Sequence, residues 1–138
     1  MINIKELSVG NWVENTNGNT GKVIGITEQG EVIMRYSENS TCYSEPRVLE
    51  PVEITPEILE KNGFEKREFI NEVNCKEEYW IYCNDYYSLV ISEINDGLYK
   101  VEHHIEELIN LIERLYISYV HQLQNALTLC GINKNIEL

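Results

Sequence analysis

Through the first fifty residues, apolar and polar positions alternate in short runs broken by Gly- and Asn-rich turns. Leu7-Ser8-Val9-Gly10-Asn11-Trp12-Val13 leads into Gly21-Lys22-Val23-Ile24-Gly25-Ile26, and then into Glu31-Val32-Ile33-Met34-Arg35-Tyr36. Runs of this length, recurring at about 8–12 residues, are the cadence of a small, strongly bent β-barrel of the SH3-like kind. Strands are expected at 12–14, 21–27, 31–36 and 42–44, with a fifth at 48–51. Asn17-Gly18-Asn19 and Gln29-Gly30 supply the positive-φ tolerance that hairpin turns demand.

The pattern then changes. Pro46 and Pro51 end the first region, and Thr55-Pro56-Glu57-Ile58 is a helix start, with a hydroxyl at the N-cap and proline at the first helical position. Asn62-Gly63 closes that linker helix. A second β-rich region follows, with aromatic and β-branched runs at 78–83, 88–92 and 98–102 separated by Asn84-Asp85 and Asn95-Asp96-Gly97. From Ile105 to Cys130 the apolar positions fit a 3.6-residue period, as one long amphipathic helix would. Yet Leu115-Tyr116-Ile117-Ser118-Tyr119 has strong β character, so helix–strand–helix is equally open. The fold class expected is α+β: an SH3-like barrel over 1–53, then over 54–138 a linker helix and a small antiparallel sheet packed with one or two helices, the two regions forming one compact unit.

Composition narrows the function. The hydrophobic fraction of 43% in 138 residues suits a globular chain rather than a disordered one. No apolar run reaches the roughly 18 residues a membrane-spanning helix needs. The N-terminus lacks a signal-peptide pattern, so the expectation is a cytoplasmic protein without membrane contact. The 11 basic and 23 acidic side chains leave a net charge of −12. Residues 1–51 hold four basic and seven acidic side chains; residues 52–138 hold seven and sixteen. No Lys/Arg cluster offers a track for phosphates, which argues against direct nucleic-acid binding. Solubility explains the acidity more simply than imitation of DNA. Cys42, Cys75, Cys83 and Cys130 contain no C-x-x-C pair, so buried reduced thiols are expected rather than a zinc site or a disulfide scaffold.

Three blocks, Leu7-Ser8-Val9-Gly10-Asn11-Trp12-Val13, Ile54-Thr55-Pro56-Glu57-Ile58-Leu59-Glu60-Lys61-Asn62-Gly63-Phe64-Glu65-Lys66 and Tyr119-Val120-His121-Gln122-Leu123-Gln124-Asn125-Ala126-Leu127, resemble a group of small uncharacterised proteins of gut Bacteroidales and their prophages and mobile elements. The resemblance covers about a third of the chain. It implies a phage or mobile-element setting but no activity. It also implies that 114–118 is a strand entering a last helix over 119–130, against the long-helix reading.

Similar proteins read His-Glu-Leu-Gln-His where this chain has His121-Gln122-Leu123-Gln124-Asn125. The zinc-peptidase pattern needs both histidines on one helical face and the glutamate as base, so peptidase chemistry does not run on these residues. His121, Gln124 and Asn125 are instead expected to cross-link the helix to the sheet. His103-His104 reads as a surface turn; with Glu106 or Glu107 it could contribute to a metal site, though the spacing does not support one. Cys130 and His121 are separated by about 13 Å of helical rise, too far to act together. Gly18 and Gly21 fit a hairpin turn rather than a phosphate cradle. No catalytic, cofactor or metal residue emerges.

The aromatic residues remain. Tyr79, Trp80, Tyr82, Tyr86, Tyr87 and Tyr99 lie on neighbouring expected strands and a turn. Alternation sets Tyr79 and Ile81 on one face and Trp80 and Tyr82 on the other, so one face is core and the other exposed. In the barrel, Trp12, Tyr36 and Tyr43 could line a peptide groove. The expected function is a non-enzymatic accessory protein that binds another protein, with a homo-oligomer possible, and the binding residues expected are Trp12, Tyr36, Tyr43, Trp80, Tyr82, Tyr86, Tyr87 and His121. A binder of a small nucleotide-like ligand is the first alternative, requiring Tyr/Trp beside one of Arg35, Arg47, Arg67 or Arg114. An enzyme built around His121 is the second.

Overall fold

The computed structural model describes residues 1–105 and 108–138 and is mostly β, with 45% strand and 17% helix. It contains two five-stranded antiparallel sheets. The α+β fold class with helices layered on a sheet is therefore corrected. The chain divides into two units, Met1–Glu53 with Tyr119–Lys134, and Ile54–Ser118 with Asn135–Leu138.

In the first unit, β1 (Trp12–Glu14), β2 (Thr20–Ile26), β3 (Val32–Ser37), β4 (Ser40–Ser44) and β5 (Glu50–Pro51) form a sheet in the order β4-β3-β2-β1-β5. β4 and β5 are its edges, and no ladder between them closes it, so the expected closed barrel is an open sheet among the described residues. Val13, Val23, Val32, Met34 and Leu49, joined by Ile2 and Leu7, make its core. β2 runs so close to β3 that Gly21 has no room for a side chain. A Cβ there would lie 2.6 Å from the Arg35 carbonyl oxygen and 2.7 Å from Met34 Cε.

Helix α2 (Val120–Leu129) belongs to this unit, not to the second region as expected. Val120, Leu123, Ala126 and Leu127 recur at helical spacing and are all buried. Glu53 and Tyr119 face one another in an antiparallel bridge, and the Val120 N–H donates to the Val52 carbonyl (2.8 Å).

The second unit opens with α1 (Pro56–Lys61), started by Thr55, whose Oγ1 accepts from the Ile58 N–H (3.3 Å). Gly63 adopts φ 83° just past its end, a left-handed conformation that a Cβ would strain. Six residues make under two turns, and α1 lies within this unit rather than linking two domains. β6 (Glu65–Ile70), β7 (Lys76–Cys83), β8 (Tyr87–Asn95), β9 (Leu98–Ile105) and β10 (Leu108–Ile117) follow in the order β10-β9-β8-β7-β6.

The long helix expected from Ile105 to Cys130 is thus a strand and a separate helix. The apolar residues of 108–117 recur at helical spacing, but pairing with β9 holds the segment extended. His103 and His104 lie in β9 rather than in a turn, and Glu106 and Glu107 lie outside the described residues. The tail returns to this unit. Asn62 Nδ2 donates to the Glu137 carbonyl (2.7 Å), and its Oδ1 accepts from the Glu137 N–H (2.8 Å). Ile136 beside it is buried.

No helix among the described residues is long and apolar enough to cross a membrane.

Candidate functional site

The register of the second sheet decides which aromatic residues meet solvent. Lys66, Trp80, Ile91, Val101 and Leu115 align across the five strands, and Tyr82, Leu89 and His103 form the next row. The middle of this face is buried, whereas Lys66 at its β6 end is exposed: Trp80 is 2% exposed, and its ring meets Tyr99 edge-on at 6.2 Å. Tyr82 is half-buried against Phe64 (5.6 Å), and Tyr87 packs edge-on against His103 (5.6 Å). Trp80, Tyr82 and Tyr87 therefore serve packing. Tyr86, 72% exposed, sits alone in the β7–β8 turn.

The opposite face carries Arg67, Tyr79, Ser92, Lys100 and Tyr116 in one row and Glu65, Ile81, Val90 and Glu102 in the next. None of these side chains is buried. A groove of about 900 Å³ runs over this face, and Phe69, Tyr79, Ile81, Val90 and Ile94, with part of the otherwise buried Trp80, give it its apolar lining. The Phe69 and Tyr79 rings lie 5.9 Å apart and tilted. No arginine, histidine or cysteine lines it among the described residues. Tyr79 belongs to the aromatic cluster singled out in the sequence, but Phe69, Ile81 and Ile94 did not stand out there as binding residues. Alternation placed Tyr79 and Ile81 opposite Trp80, but nothing local said which side would be covered.

The first unit does not assemble its three aromatic residues. Trp12 aligns with Lys22, Arg35 and Thr41 across four strands, and the Lys22 ammonium sits 4.9 Å above its ring. Tyr43 aligns instead with Ile33 and lies on β4, three strands from Trp12, about 14 Å at the usual strand spacing. A smaller depression of about 390 Å³ contains Tyr43 with Asn15, Arg47 and Val48, but neither Trp12 nor Tyr36.

His121 is 1% exposed and lies parallel to the Tyr119 ring at 5.9 Å. Its Nε2 is 3.6 Å from Glu6 Oε2, and neither ring nitrogen has a hydrogen-bond partner among the described residues. Burial pushes its pKa below the free-imidazole value, and the Glu6 carboxylate opposes that in part. Around it α2 is clamped to the segment before β1. Gln124 Nε2 donates to the Gly10 carbonyl (2.9 Å), and Gln124 Oε1 accepts from the Trp12 N–H (2.9 Å). Asn125 Nδ2 donates to the Glu6 carbonyl (2.7 Å), while its Oδ1 accepts from Asn11 Nδ2 (3.2 Å). This is a polar seam between helix and strand rather than a reactive centre.

The cysteines are all free; Cys75 and Cys83 are exposed, contrary to the buried thiols expected, and Cys42 and Cys130 are half-buried. His103 and His104 point to opposite faces of β9, and no group of three or more potential metal ligands occurs among the described residues. No protein-family model, curated protein or solved structure matches the chain.

Proposed function

We propose that this chain is a non-enzymatic accessory protein that binds another protein through the open face of its second sheet. One observation carries the reading. The sheet buries the middle of one face, through Trp80, Leu89, Ile91, Tyr99 and Val101, while the other keeps Phe69, Tyr79, Ile81, Val90 and Ile94 lining a single groove. A contiguous apolar patch with aromatic residues and a polar rim is the usual anatomy of a protein contact. The small-ligand alternative calls for an arginine in the lining, and none of those described is there. The charge of −12 opposes direct contact with nucleic acid. A phage or mobile-element setting is what the sequence resemblance adds.

The test is position-specific photo-cross-linking in extract of the native cell. A photoreactive phenylalanine at Tyr79 or Ile94 yields a discrete protein adduct, and adding Ile81→Ser removes it. The same group at Val9, exposed in the first unit, yields none. Equal cross-linking at Val9, or adducts indifferent to Ile81→Ser, would refute the reading.

A further inference from the structure

We infer, building on that reading, that the segment received by this groove is an extended stretch of a basic protein in which arginines alternate with apolar residues. The charges around the groove carry the argument. Two lysines line it, and both are already committed: Lys76 to Glu68 at 3.0 Å and Lys100 to Glu102 at 2.8 Å. Glu78 is likewise held by Lys66 at 3.1 Å. Glu77, Glu93 and Asp96 also line the groove, and none of the three forms an ion pair among the described residues, although Glu77 accepts from Asn71 Nδ2 (2.7 Å) and Glu93 from the Gly97 N–H (3.3 Å). The groove therefore keeps three carboxylates without a paired cation among the described residues, around an apolar lining and on a chain that is itself strongly acidic.

A partner that matches both features brings apolar side chains for the lining and cations for the rim. An extended segment does so naturally, because successive side chains point to opposite sides with a period of two. Arginine fits better than lysine. Its planar guanidinium stacks on rings such as Tyr79 and Phe69, is weakly hydrated, and offers a fork of donors to a carboxylate. The first unit shows the same taste on a smaller scale, with the Lys22 ammonium seated over Trp12. A single small cation would leave most of the 900 Å³ empty, and polyanions such as nucleic acid or acidic lipid would be repelled.

The experiment uses the full chain and a synthetic fluorescent peptide of about nine residues alternating arginine and leucine. A second peptide has glutamine in place of every arginine. Anisotropy titration is expected to show saturable binding of the arginine peptide, weakening several-fold between about 0.05 M and about 0.5 M salt. Little binding of the glutamine peptide is expected. The triple substitution Glu77→Gln, Glu93→Gln, Asp96→Asn should weaken the arginine peptide about tenfold. A matched triple in the first unit, Glu28→Gln, Glu31→Gln, Glu38→Gln, should leave it unchanged. Equal weakening by both triples, or no saturable binding, overturns the proposal. Equal affinity for the glutamine peptide overturns the basic partner but leaves the groove as the docking face. Binding that survives Tyr79→Ser together with Ile81→Ser overturns the groove itself. All variants sit at exposed or half-exposed positions, and unchanged melting temperatures verify that they fold.

Discussion

Asn62→Ala isolates the device that fastens the C-terminal segment to the second unit. Asn62 is buried, donates to the Ile58 and Glu137 carbonyls at 2.7 Å each, and accepts from the Glu137 N–H at 2.8 Å. The Ile58 carbonyl keeps a second donor, the Asn62 N–H at 3.2 Å, so the loss falls mainly on the two bonds to Glu137. At about 1 kcal/mol net each, they contribute about 2 kcal/mol. If the tail then lifts and Ile136 leaves its buried position, about 2 kcal/mol of apolar burial goes with it. The expected destabilisation is therefore about 2–4 kcal/mol. Urea unfolding of a Trp12→Phe background follows it cleanly, because Trp80 then reports on the second unit alone. Amide exchange at Glu137 should accelerate in parallel. A change under about 0.5 kcal/mol with Glu137 still protected would refute this account of the clamp.

Gly21→Ala should destabilise the first unit by about 1–3 kcal/mol in a urea titration of a Trp80→Phe background read through Trp12, since the new methyl meets the Arg35 backbone as well as the movable Met34 side chain. For His121, burial holds the native pKa below the 6.5 of the free imidazole, so the unfolded chain takes up the proton first. Stability is then full above about pH 6.5, declines as acid is added, and levels off below the native pKa. His103, lowered by burial and by His104, adds to the same fall. Glu6→Gln removes the opposing carboxylate and should deepen the acid-side loss; His121→Gln should flatten it, as melting temperature against pH would record. A thiol reagent should modify Cys75 and Cys83 quickly and Cys130 slowly, because burial both shields the Cys130 thiol and raises its pKa.

The first four strands were legible because alternation and Gly/Asn turns agree there, and α1 because Thr55, Pro56 and Gly63 each carry a local signal. β6 left no such trace. Glu65-Lys66-Arg67-Glu68 reads as a solvated charge run, and only pairing with β7 makes it a strand. The run at 108–117 misled for the opposite reason, since its apolar residues fit a helical period although the segment is extended. What decides is β9, a neighbour that periodicity within one segment does not reveal. The aromatic face followed the same logic. Alternation separated Tyr79 from Trp80 correctly, but which side becomes core is set by the whole sheet.

The interlaced path of the backbone carries a consequence for biogenesis. A ribosome that has released the first fifty-three residues has made the opening sheet without the helix that Asn11 and Gly10 grip. That helix emerges only after every strand of the other body has been synthesised, and Ile136 arrives later still. Neither body is complete before residues 119–138 have been made, so maturation of both waits for that one stretch of polypeptide.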